Sequence, residues 1–215
     1  MALEPIQYSW GPLLYKGRLS PEDTKKILKI CAKNKKFDAA TSLAANIKEE
    51  FFINKIKFME ITQKYYANYI ATFEKYYNTG VPNLNLDSAW VNFMKAGESN
   101  PPHIHVNCNL SSVWFLKIPN KLKKERSEYK GTVNGGGPGS ICFMHGAFSP
   151  MAIDEVRHFP EEGDFFIFPY NVKHYVSPFL SKCVRISVAA NYMIDVTSKK
   201  QKTSGFFGSY EKQEN

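Results

Sequence analysis

Long apolar runs are missing from this sequence: the roughly eighteen consecutive apolar residues that a membrane-spanning helix requires occur nowhere. Helical membrane insertion is therefore not expected. Cysteine is scarce, with Cys31, Cys108, Cys142 and Cys183 scattered and no Cys-x-x-Cys pair among them, so neither a disulfide framework nor a thiolate zinc site is indicated. Met1 to Gly11 lacks a charged segment followed by an apolar one. With the scattered thiols, this points to a reducing cytoplasm. The one glycine cluster, Gly135-Gly136-Gly137, is not followed by Gly-Lys-Ser/Thr, which reads as a turn rather than a phosphate loop. Acidic residues are the minority charge, 20 against 28 basic, for a formal net charge of +8. Much of the excess lies in lysine pairs and runs at Lys25-Lys26, Lys35-Lys36, Lys121 to Lys124 and Lys199-Lys200. No aromatic residues interleave them, so a solvated basic surface is favoured over a nucleic-acid site.

What is present suits one folded domain of ordinary composition, 43% hydrophobic and 22% charged over 215 residues. Ser20-Pro21-Glu22-Asp23 has the chemistry of a helix start, with a capping hydroxyl, proline at the first position and carboxylates at the positive end of the dipole. That helix is expected to reach about Asn34. Phe52, Ile56, Met59, Tyr66, Ile70, Phe73 and Tyr77 fall on one stripe of a second, longer helix, which Gly80 and Pro82 are expected to end. Beyond Pro82 the texture changes to short runs of Val, Ile, Phe, Tyr and Trp between Gly, Pro and Asn, the pattern of strands and turns. Strands are expected at residues 89–95, 104–108, 112–118, 140–144, 164–168, 174–177 and 184–192, with 121–138 a long connection. A run of short strands without intervening helices predicts a mainly β jelly roll with N-terminal helices. The expected division is a helical segment, 1–87, buttressing a β core, 88–196, followed by a mobile tail, 197–215, in which Phe206-Phe207 is the one docking candidate.

Of five histidines, His103 and His105 stand at i and i+2 in Pro101-Pro102-His103-Ile104-His105. On an extended strand such residues share a face, so their imidazoles can converge on one ion. His174 opens a later strand, and a set of three leaves coordination positions open, as in non-haem iron oxygenases. A second register, in which Asn107 follows His105, stays open. Arg185-Ile186-Ser187 follows on the next strand. A buried guanidinium offers paired donors to a carboxylate, and the serine hydroxyl adds another. His145 and His158 fall outside these motifs and read as surface or turn residues.

The stretch Gly97-Glu98-Ser99-Asn100-Pro101-Pro102-His103-Ile104-His105 resembles, without a gap, the G-Q-x-Y-x-P-H-x-D segment of prolyl 4-hydroxylase-type 2-oxoglutarate oxygenases. Residues 102–107, the 110–119 strand, the 163–169 turn, His174 to Pro178 and Arg185 to Asn191 are similar, in that order, to a family of 2-oxoglutarate/iron(II) oxygenases frequent in tailed phages of marine bacteria. The similarity runs from about Trp90 to Tyr192. It implies a cupin-like double-stranded β-helix, iron(II) held by His103, His105 and His174, and 2-oxoglutarate held by Arg185. Dioxygen and a small-molecule or peptide substrate of unknown identity are the implied partners, and hydroxylation of a C–H bond with release of succinate and carbon dioxide is the implied reaction. Two departures stand out. His105 replaces the acidic ligand, which removes one negative charge from the site; because histidine fills the position, a halide site is not favoured. Met94 replaces a tyrosine that contacts 2-oxoglutarate, leaving Asn92 or Ser187 to supply that hydrogen bond. Trp90, Phe93, Trp114, Phe166 and Phe168 are expected to form a dry wall, and Asn107 and Tyr175 to orient the imidazoles. Two other readings remain open: a three-histidine cupin-like enzyme that does not use 2-oxoglutarate, and a non-catalytic β-helix module of a virus.

Overall fold

The computed structural model describes residues 11–33, 38–39, 45–131, 136–147 and 149–198. The expected tail lies outside the described residues except for Thr197 and Ser198, which end the last strand.

The chain opens with strand β1 (Tyr15–Arg18) and helix α1 (Pro21–Lys33). As the sequence predicts, the Ser20 hydroxyl accepts the Asp23 amide at 3.1 Å at the start of α1. A three-residue strand, β2 (Glu50–Phe52), then precedes the long helix α2 (Lys55–Tyr77). Asn54 caps α2 by accepting the Lys57 amide at 3.0 Å, so Phe52 belongs to β2 and Ile56 is exposed. The buried stripe of α2 is instead Phe58, Thr62, Tyr66 and Tyr69, with Met59, Ile70 and Phe73 at its margins. Asn78, in the left-handed region at φ 51, ends the helix two residues before Gly80. Asparagine adopts that backbone readily, and the chain turns directly into β3 (Thr79–Met94), which is ten residues longer toward the N-terminus than expected.

The remaining elements are β4 (Asn100–His103), β5 (Leu110–Lys117), α3 (Asn120–Glu128), β6 (Ile141–Met144), β7 (Glu155–His158), β8 (Asp164–Pro169), β9 (Lys173–Val176) and β10 (Arg185–Ser198). Helix α3 sits in what was expected to be an irregular connection; it carries one buried apolar residue, Leu122, and so gives no apolar period. The expected strand at 104–108 is absent, β4 ending at His103.

Two antiparallel sheets result, with strand orders β1-β8-β5-β10-β3-β2 and β4-β9-β6-β7. This is the mainly β jelly roll the sequence predicts. Residues before 88 are more than a helical buttress, because they supply β1 and β2, the two edges of the six-stranded sheet. Strand alternation divides that sheet's side chains into two faces. Ala89, Val91, Phe93, Trp114, Phe165, Ile167 and Val188 join Phe58, Tyr66 and Tyr69 in a core under the helices. Met94, Phe115, Phe166 and Phe168 join Ile141, Phe143 and Val176 in a second core between the sheets. In the first core Trp114 stacks on Phe165 at 4.2 Å and meets Phe58 edge-on at 5.8 Å. Its indole N–H donates to Ser112 Oγ, which also pairs with the Tyr66 hydroxyl at 2.7 Å; Tyr66 in turn bonds Tyr192. The N-terminal helices are thus fixed to the sheet by aromatic packing and by a satisfied buried network, each aromatic pair adding roughly 0.5–1.5 kcal/mol beyond its burial.

Candidate metal and 2-oxoglutarate centre

The open side of the sandwich is built by strand register. β4 and β9 pair with His103 directly opposite His174, which puts both rings on one face. His105 lies beyond the end of β4, so period-two alternation does not explain its position. Its amide donates to the Tyr170 carbonyl at 3.0 Å, and this tie returns the chain toward β9. Asn107, at φ 57, then turns it away.

The ligand atoms of His103, His105 and His174 lie within 4.8 Å of one another, and no other such group of three occurs among the described residues. His105 Nε2 and His174 Nε2 are 3.3 Å apart. His103 Nδ1 is 2.8 Å from the Pro101 carbonyl and His174 Nδ1 is 2.9 Å from the Val172 carbonyl. A carbonyl can only accept, so both Nδ1 atoms carry the proton and both Nε2 atoms are left with a lone pair. Burial holds all three imidazoles below their ordinary range, His105 at about 4 and His174 at about 3, with the neighbouring rings opposing charge on these two. Three neutral nitrogen donors converging on one point suit a divalent first-row metal. Phe168 and Phe143 pack on His174 and Trp90 lies beside His105.

An inner cavity of about 40 Å³ joins this cluster to the end of β10 and is lined by His103, His105, His174, Asn92, Arg185 and Ser187 among others. Register explains the grouping: Arg185 pairs with Met94 and Ser187 with Asn92, so these side chains project from the same face. Arg185 is 2% exposed. Its Nη1 donates to the Gly139 carbonyl at 3.2 Å, its plane lies over Phe115, and its Nε has no partner. Burial, and then the charge of Arg126, pull this guanidinium down to about 9. No acid offsets its charge among these contacts. The Asn92 amide oxygen is also buried without a partner. A carboxylate entering the cavity would meet the unsatisfied Arg185 Nε–H, a charged donor that fits it, while the Asn92 oxygen is left to accept from a hydroxyl or amide.

Beyond Trp90 and the histidines the cavity adjoins a wider cleft of about 410 Å³. Glu50, which sequence reasoning did not single out, lies in its wall and is 1% exposed, with Oε2 unpartnered. Burial, then the negative Glu98 and Asp38, push this carboxyl up to about 7.

Residues 88–191 match the family described as "Putative 2OG-Fe(II) oxygenase". The match spans 104 of the 215 residues and makes this β core similar to the 2OG-Fe(II) oxygenase family. Fe(II) and 2-oxoglutarate are the cofactors of that family, and the histidine cluster can hold the metal. Solved structures of low identity share the oxygenase fold. A viral collagen prolyl hydroxylase from Paramecium Bursaria Chlorella virus-1, in complex with 2OG, is 13% identical over 83% of this chain and 94% of its own, with a TM-score of 0.53. A Pseudomonas putida prolyl-4-hydroxylase is 14% identical over 84% of this chain and 91% of its own, with a TM-score of 0.52. A Trichoplax adhaerens prolyl hydroxylase, in complex with a hypoxia inducible factor oxygen degradation domain peptide fragment, is 12% identical over 85% and 83%, with a TM-score of 0.54. No curated protein sequence matches the chain significantly.

Several expectations for the β core need correction. Trp90 and Phe168 line the inner cavity, but Phe93 and Trp114 point to the helices, one residue out of phase with the cleft-facing set. Phe166 lies in the core between the sheets against Phe143. Met94 is fully buried in the same core. Asn107 is an exposed part of the outer wall. Tyr175 alternates with His174 on β9 and so leaves the other face, where its hydroxyl donates to Glu155 at 3.2 Å. The main-chain carbonyls of Pro101 and Val172 hold the rings that these two were expected to orient. His158 is a strand residue of β7, packed on Phe166 at 4.9 Å, rather than a turn residue. All four cysteines are free thiols, and no described helix is long and apolar enough to cross a membrane.

Proposed function

We propose that the chain is an Fe(II)- and 2-oxoglutarate-dependent hydroxylase acting on a small-molecule or peptide substrate, with residues 88–196 as the catalytic unit and the preceding helices as its support. The reading places its work in a reducing cytoplasm. The observation that carries it is Arg185: a buried guanidinium with an unpartnered Nε, lining the same inner cavity as three imidazoles whose donor atoms lie within 4.8 Å.

In this reading His103, His105 and His174 hold the metal, and Arg185 binds the far carboxylate of 2-oxoglutarate. Ser187 and Asn92 supply hydrogen bonds to the same molecule. Bound iron with 2-oxoglutarate and dioxygen supplies the oxidising power for C–H hydroxylation, releasing succinate and carbon dioxide. The chain's own contribution is placement. The Pro101 and Val172 carbonyls fix the His103 and His174 rings, so both present Nε2 without rearrangement. Trp90, Phe143 and Phe168 keep water from the histidine cluster. Because His105 stands where the family pattern has an acid, the site holds the metal with one less negative charge.

Anaerobic titration of iron-loaded protein with 2-oxoglutarate tests this directly. A visible metal-to-ligand charge-transfer band, then succinate once air is admitted, is expected, and Arg185→Ala should remove saturation by the keto acid. Turnover unchanged in Arg185→Ala would favour a cupin-like enzyme without 2-oxoglutarate. An iron stoichiometry near zero would favour a non-catalytic module.

A further inference from the structure

The outer cleft differs in chemistry from the inner cavity. Its wall carries two acids, Glu50 and Asp87, and two aromatic rings, Phe52 and Trp90, and, among the described residues, no lysine or arginine. Register fixes this composition: Glu50 pairs with Asn92 and Phe52 with Trp90 across β2 and β3, so all four side chains leave the sheet on the cleft side. Glu50 has neither solvent nor a partner at Oε2. Among the described residues, the other charged groups around it do not neutralise it. Glu98 and Asp38 are themselves acidic and act on Glu50. Glu98 accepts the Lys48 and Lys95 amides, the Lys95 ammonium is paired with Glu49, and Lys55 bonds the main-chain carbonyl of Asp87. On a chain with a formal net charge of +8, this local reversal of sign stands out. A buried, uncompensated carboxylate is unfavourable for the empty protein. Beside aromatic faces, it matches the recognition of a cation.

We propose that Glu50 is a specificity-determining residue and that the outer cleft binds an aliphatic ammonium group of the primary substrate, with Trp90 and Phe52 packing along its stem. The inference rests on the reading of the inner cavity as the metal and 2-oxoglutarate site, because it assigns to the substrate the cleft that site leaves free. Asp87 adds a second negative charge nearer the rim.

The test uses the full chain loaded anaerobically with Fe(II) and 2-oxoglutarate, titrated by calorimetry with N-acetyl-lysine methylamide and with its uncharged counterpart, N-acetyl-norleucine methylamide. The lysine probe is expected to bind roughly tenfold tighter or more. Glu50→Gln should bring the two probes to about the same affinity, while Glu50→Asp, which keeps the charge, retains a preference for lysine. Equal affinities in the wild type, a lysine preference that survives Glu50→Gln, or no saturation by either probe would overturn the assignment. Should the Gln variant not fold, a carbon-13 titration of the wild type decides: the Glu50 carboxyl resonance must move on lysine-probe binding, and a resonance unmoved at saturation overturns the proposal. The two readings fail separately. Loss of the charge-transfer band with the lysine preference intact would sink the oxygenase reading, and the reverse result would sink only the role of Glu50.

Discussion

The two faces of the six-stranded sheet are made by alternate residues of the same strands, yet they are finished differently. On the helix side, Tyr66, Ser112, Trp114 and Tyr192 satisfy one another's hydrogen bonds. Among the described residues, the Tyr69 hydroxyl and Thr79 Oγ1, at the start of β3, are without a partner, and neither lines the cleft or the inner cavity. On the cleft side, Asn92, Arg185 and Glu50 each keep an unpartnered buried atom, as does Asn100 on β4 across the inner cavity. Unmet hydrogen-bonding capacity destabilises a folded chain. Its concentration on one face separates the part of the sheet that keeps the fold from the part arranged to receive something else.

Substitutions in alternate positions should break the molecule in different ways. The largest effect is expected for Trp114→Ala, which empties the helix-side core and should lower stability by about 3–5 kcal/mol in denaturant unfolding. Next is Arg185→Met on the opposite face. There 2-oxoglutarate binding should weaken by on the order of a hundredfold, whereas the melting temperature stays level or rises, because an unpaired buried charge is replaced by an apolar chain of similar length. A large loss of stability in this variant would mean that the two faces are not separable.

Glu50→Gln sharpens the comparison through pH. A carboxyl held at about 7 rather than its ordinary 4.5 binds its proton more tightly in the folded state. Its contribution to stability is therefore full below 4.5 and is lost as pH rises through 7. The Gln variant should match the wild type near pH 5 and exceed it by on the order of 1–3 kcal/mol at pH 8, read from paired melts. An unchanged difference across that range would show that Glu50 is already compensated. The smallest effect is expected for Tyr66→Phe, which removes one hydroxyl from a satisfied network and should lower stability by about 1 kcal/mol without altering 2-oxoglutarate binding.

The two faces also differ in how much of them the sequence discloses. The Pro102-His103-Ile104-His105 segment, His174 and the Arg185-Ile186-Ser187 strand name residues that line one cavity, because polar residues inside an apolar strand are conspicuous. The aromatic wall was harder to place. Trp90 to Met94 and Trp114 to Leu116 are buried between helices on one side and a second sheet on the other, so both faces are apolar and the alternation that would assign Phe93 and Trp114 disappears. Glu50 escaped because β2 is three residues long and its partner, Asn92, is remote in sequence. The convergence of His105 could not be derived from strand geometry at all, since it depends on a single amide contact to Tyr170.

The imidazoles of His103 and His174 are each held by a main-chain oxygen two residues earlier. Such an anchor has no codon of its own. Any residue that preserves the local backbone path at 101 or 172 still presents the same acceptor, so the aim of these two rings can survive sequence drift that would erase a side-chain support. Divergence around the centre is then free to proceed in the cleft wall, where a new cargo can be selected without re-aiming the rings.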